Sequence, residues 1–63
     1  MKFTLTIDMD NAAFGEDDNA RSDEVARILR KYATYFDSMG LGSHSGAIHD
    51  FNGNIVGSWE VSL

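Results

Sequence analysis

The chain has 63 residues, room for one domain and no more, and its ten acidic and five basic side chains leave a formal charge of −5. It contains no cysteine, which excludes disulfide staples, thiolate metal sites and thiol catalysis. The negative balance argues against direct binding to nucleic acid or anionic membranes; it permits a protein partner with a basic surface, and solubility alone accounts for it equally well.

A domain this short buries only about 60% of the surface its unfolded chain exposes, so stability must come from dense packing or from a partner. The opening residues lack the continuous apolar region of a signal peptide. No stretch approaches the roughly 18 apolar residues of a membrane span. The expected location is therefore the cytoplasm.

Residues 1–9 alternate as a half-buried strand does. Met1, Phe3, Leu5, Ile7 and Met9 take one face, and Lys2, Thr4, Thr6 and Asp8 the other. Asp10-Asn11 signals a turn. Residues 11–21 read as a loop whose large apolar residue, Phe14, should tuck under the sheet edge or the helix start.

Residues 23–39 read as a helix. Ser22 is the expected N-cap, with Asp23 and Glu24 in the first turn; a start near Asp18 or Asn19 is the alternative. Val25, Ile28, Leu29, Tyr32, Tyr35, Phe36 and Met39 recur at helical spacing and form one apolar stripe. Arg27, Arg30 and Lys31 fall on the other side. Gly40 suits the position after the helix, and residues 40–46 form a Gly/Ser connector.

The last segment, 46–63, reads as a hairpin. Asn52-Gly53 suits a type I′ turn, in which both central residues need positive φ. Beyond it, Ile55, Gly57, Trp59, Val61 and Leu63 point one way, and Val56, Ser58, Glu60 and Ser62 the other. A two-residue turn pairs Phe51 with Asn54 and Ile48 with Gly57, placing Ile48 beside Trp59. A three-residue loop closed by Gly53 would put Ala47 and His49 there instead. The first register buries more apolar surface and is preferred.

The fold class is thus α+β: one domain, 1–63, in β-α-β-β order. A three-stranded antiparallel sheet, order 1-3-2, carries one helix on one face. Adjacent first and second strands would instead have to be parallel through a right-handed crossover. The open face should carry Thr4, Thr6, Ala47, His49, Val56 and Ser58, with Phe51 a further candidate.

Patterns for catalysis or cofactors are weak. Asp8 and Asp10 have the first spacing of a calcium loop, but Ala12 and Ala13 follow where ligands are needed, so no metal is expected. Gly40, Gly42 and Gly46 lack the Lys-Ser/Thr of a phosphate loop, and no cofactor is implied. Ser43, His44, Ser45, His49 and Asp50 contain the residue types of a hydrolase triad. His49 and Asp50 are neighbours on a strand, however, and point to opposite faces. Arg27, Arg30 and Lys31 are too few for a nucleic-acid footprint. The chain is read as a non-enzyme.

The acids are more informative. Asp8, Asp10, Glu16, Asp17, Asp18, Asp23 and Glu24 fall within seventeen residues. If the first strand ends where the helix begins, they gather at one end and can steer onto a basic partner or imitate spaced phosphates. A solvated, dipole-compatible loop is the plainer account of the same residues.

Three stretches together resemble a group of short tailed-phage and prophage proteins: Met-Lys-Phe-Thr-Leu-Thr-Ile-Asp at the start, Val-Ala-Arg-Ile-Leu-Arg-Lys-Tyr-Ala in the helix, and Ile-His-Asp-Phe-Asn-Gly-Asn-Ile-Val-Gly-Ser-Trp-Glu-Val at the end. The resemblance spans almost the whole chain and rests on structural motifs. It implies the β-α-β-β fold and a phage context in a host bacterial cytoplasm, and it transfers no catalytic residue. The acidic loop at 14–19 and the Gly/Ser connector depart from the pattern. Small acidic phage proteins include inhibitors of host defence, anti-CRISPR proteins among them. The resemblance therefore implies an inhibitor that covers a basic nucleic-acid-binding surface on a CRISPR-Cas or other defence complex. The alternative is a structural or regulatory phage accessory protein that self-associates, as a homodimer, through the open sheet face.

Overall fold

Five elements follow one another in the computed structural model, which describes residues 1–42 and 44–63. They are β1 (Lys2–Ile7), a single 3₁₀ turn (Ala12–Phe14), α1 (Asp18–Met39), β2 (Ser45–His49) and β3 (Ile55–Ser62). The strands form one antiparallel sheet in the order β1-β3-β2. Phe3, Leu5 and Ile7 face Val61, Trp59 and Gly57 across one side of β3, and Gly46 and Ile48 face Trp59 and Gly57 across the other. These pairs make the inner face, over which α1 lies.

Phe14, Ile28, Tyr32, Ile48, Val56 and Trp59 are the buried apolar core, and Leu5, Ile7, Val25 and Phe36 pack partly buried against it. Each fully buried side chain of this size contributes roughly 1.5–3 kcal/mol. Phe36 meets Trp59 edge-on, ring centres 4.9 Å apart, and Phe3 meets Phe36 at 5.5 Å. The indole needs space on β2, which Gly46 leaves: a Cβ there would stand 2.5 Å from Trp59 Nε1. Phe14 is fully buried, as its isolation in a polar loop demands.

Three local expectations are corrected. First, α1 begins at Asp18, not beyond Ser22. Asp17 is its N-cap, accepting from the Ala20 N–H at 2.8 Å. A carboxylate three residues before a free helical N–H caps as well as a serine, and it adds negative charge at the positive end of the dipole. Second, the apolar stripe is narrower than its spacing suggests. Leu29, Tyr35 and Met39 are exposed: the line through Ile28, Tyr32 and Phe36 meets the sheet, and Met39 lies on that line but at the last residue of the helix. Leu29 and Tyr35 flank that line on either side, and three strands are too few to cover them.

Third, the hairpin closes through a three-residue loop, 51–53, and not a two-residue turn. The Asp50 N–H donates to Asn54 O at 2.9 Å, and the Gly53 N–H to Asp50 O at 3.1 Å. Gly53 alone has positive φ in the loop, at +85°. This loop would place Ile48 opposite Val56. A bulge prevents it: the pairing steps from His49↔Ile55 to Ile48↔Gly57, with Val56 the extra residue. The bulge restores the apolar register and exchanges two side chains. Val56, expected on the open face, is buried, and Ile55, expected inside, is 70% exposed.

Candidate functional site

The exit of β1, the 3₁₀ turn, the start of α1 and the hairpin loop meet at one end of the molecule. Asn11 fixes the meeting point. Its Oδ1 caps the 3₁₀ turn by accepting from the Ala13 N–H at 2.8 Å, and its Nδ2 donates to Asp50 Oδ2 at 2.7 Å. Asp50 Oδ1 also accepts the backbone N–H groups of Asn52 and Asn54, at 2.8 and 3.0 Å. Asp50 is 3% exposed. Burial, the strongest single influence on it, pushes its carboxyl up, but the donors from Asn11, Asn54 and Asn52 together outweigh burial and hold it below its ordinary value.

Glu24 sits beside this hub. It is 6% exposed, takes Arg27 bidentately at 2.6 and 3.0 Å, and accepts the Phe51 N–H at 2.9 Å. The Arg27 guanidinium, opposed by burial and aided by the Phe51 N–H, holds the Glu24 carboxyl below the usual range. Tyr32 completes the anchorage from the helix: its hydroxyl accepts the His49 N–H at 3.0 Å and donates to Ala47 O at 3.2 Å. Asp50, Glu24 and Tyr32 therefore fasten the β2–β3 hairpin to α1 and to the 3₁₀ turn.

The seven acids expected at a binding end divide in two. Glu24 is not available to a partner, because Arg27 and Phe51 occupy it. Asp8, Asp10, Glu16, Asp17, Asp18 and Asp23 are all exposed. Asp8 Oδ1 accepts the Asp10 N–H at 3.0 Å, Asp17 caps the helix, and Asp18 pairs with Arg21 at 3.2 Å. The side chains of Asp10, Glu16 and Asp23 make no bond to the described residues. Met9, at the end of β1, lines one cleft with Asp18 and Arg21, and Asp8, Asp10 and Asn11 line another with Val56. The strand exit and the helix start therefore stand together, with Asp8, Asp10 and Asp18 beside them.

The other expected constellations do not assemble. Asp50 is saturated by asparagine donors and backbone N–H groups, so it does not orient His49. Ser43 lies outside the described residues. Arg27 is spent on Glu24, which leaves Arg30 and Lys31 as the exposed basic pair on that side of α1. Among the described residues, no three His, Asp or Glu side chains cluster as metal ligands would, and no helix is long and apolar enough to cross a membrane. Sequence reasoning overlooked the hub role of Asp50. Its signal was the Asp-Phe-Asn-Gly-Asn run, since an Asp at the head of a turn bonds the backbone two residues on.

No family model, curated protein or solved structure matches the chain.

Proposed function

We propose that the protein is a non-enzymatic binding protein whose acidic end engages a basic surface on a larger partner. The observation that carries this reading is the division of the acids. Six exposed carboxylates lie between the end of β1 and the first turns of α1, while the two buried ones, Glu24 and Asp50, fasten the hairpin loop to α1 and to the 3₁₀ turn. Exposed negative charge steers diffusion onto positive surfaces, and at Asp10, Glu16 and Asp23 no side-chain bond to the described residues has to be given up on contact. A binding role is further supported by the saturation of both buried carboxylates with structural donors, which leaves neither poised to move a proton.

The resemblance to short phage proteins narrows the partner. The reading it favours is an inhibitor of a host defence complex, CRISPR-Cas among them, that occupies a surface meant for nucleic acid. The test is affinity capture from host lysate with the natural chain and with the variant Asp10→Lys, Glu16→Lys, Asp23→Lys. A nucleic-acid-binding complex retained by the first and lost by the second supports the reading. Equal retention by both removes the acidic end from the account.

A further inference from the structure

We propose that two copies of this chain join along β1 into a six-stranded sheet. The strand order β1-β3-β2 leaves β1 at an edge. The Asp8 N–H donates to Val56 O, and Ile7 stands opposite Gly57. In an antiparallel ladder this phase turns the backbone groups of the even residues toward β3, and those of Phe3, Leu5 and Ile7 outward. Three consecutive outward positions, with neither proline nor bulge in β1, make a ready template for another strand.

The sequence of β1 fits itself in one register. Outward groups must meet outward groups, so odd residues must pair with odd. Centring on Leu5 uses all three: Leu5 opposes Leu5 of the second copy, and Phe3 opposes Ile7, twice. In that register Lys2 opposes Asp8, also twice, at positions without hydrogen bonds, where cross-strand side chains lie closest. Lys2 is the one charge within the strand, and an edge lysine ordinarily discourages pairing. Here it meets the opposite charge, and it has no ion pair among the described residues.

The apolar surface points the same way. Phe3 on the inner face of β1 and Met9, two residues past its end, are each 45% exposed, and Leu29 is 48% exposed on the adjoining flank of α1. Clefts run between β1 and α1 there, lined by Phe3 with Ala33 and Leu41, and by Met9 with Val25 and Leu29. An antiparallel join about a two-fold axis normal to the sheet keeps both helices on one face and brings these flanks together. It also sends the two acidic ends to opposite poles, so self-association and binding of a basic partner do not compete for Asp10, Glu16 and Asp23.

The test is sedimentation equilibrium of the full chain, paired with amide exchange. The natural chain is expected to dimerise with rising concentration, and the Phe3, Leu5 and Ile7 amides to gain protection in step. Lys2→Asp and Asp8→Lys should each weaken the dimer by about tenfold, since each turns two attractive cross-strand pairs repulsive. The double exchange should restore it. Trp59 emission reports whether each variant is folded; if Asp8→Lys is not, Lys2→Asp and the amide protection decide. A chain monomeric at millimolar concentration with freely exchanging edge amides overturns the proposal. So does a dimer indifferent to Lys2→Asp, or a folded double variant that stays weak.

Discussion

Trp59 links the sheet to the helix. It joins both hairpin strands to Phe36 of α1, and it is 2% exposed. Trp59→Ala should cost about 3–5 kcal/mol, close to the whole stability of so small a domain, and leave no cooperative thermal transition near the parent's midpoint. Gly46→Ala tests the same contact from the other side, because its methyl would meet the indole. Its urea midpoint should fall with an unchanged slope. These residues were readable in advance: one Trp on an alternating strand has to be inside. Asp50 was not: strand alternation already set it apart from His49, but its role at the head of the turn shows only with its asparagine donors in place. Ile55 and Val56 were legible only as a pair of β-branched residues. Which one is buried depends on a bulge that hydrophobicity alone does not reveal.

The hairpin and the helix test different physics. Gly53 holds φ at +85°, so Gly53→Val should destabilise the hairpin by about 1–3 kcal/mol, read as a lowered urea midpoint. Two carboxylates help attach the hairpin: Glu24, on α1, accepts the Phe51 N–H, and Asp50 accepts Asn11 from the 3₁₀ turn, so the attachment should depend on pH. Glu24 and Asp50 both have folded values below their ordinary ones. The unfolded chain then takes up protons first as pH falls. The stabilisation is complete above the ordinary values of about 3.9 for Asp and 4.3 for Glu, and is lost as pH drops through the lower folded values. The contribution of these two carboxylates to unfolding free energy should be flat above about pH 5 and fall in acid, and Glu24→Gln should blunt the fall. The helix itself was legible from its period, and Gly40 ends it as expected. Its start was legible only as two alternatives, because Asp17 and Ser22 are both acceptable caps, and the earlier one is used.

The molecule as a whole is a thin two-layer domain with an acidic end. Strand order and helix placement followed from where apolar residues alternate. The Ile48–Gly57 pairing was expected from a two-residue turn and is reached instead through a three-residue loop and a bulge. The acidic end was legible as charge density. What it could not disclose was that Glu24 turns inward and that Asp17 is structural, so reversing residues 16–18 together would damage the helix as well as the surface. Asp10, Glu16 and Asp23 are the residues whose reversal changes charge without removing a bond to the described residues.

The most direct measurement is the association rate with the captured partner as ionic strength rises. The natural chain should associate fast at low salt and slow steeply as charges are screened beyond about 8 Å near physiological strength. The Asp10→Lys, Glu16→Lys, Asp23→Lys variant should associate slowly throughout, with little salt dependence and a nearly unchanged dissociation rate. A variant that associates as fast as the natural chain at every salt concentration, while Thr6→Arg on the open face abolishes binding, would contradict the assignment and move the site to the sheet.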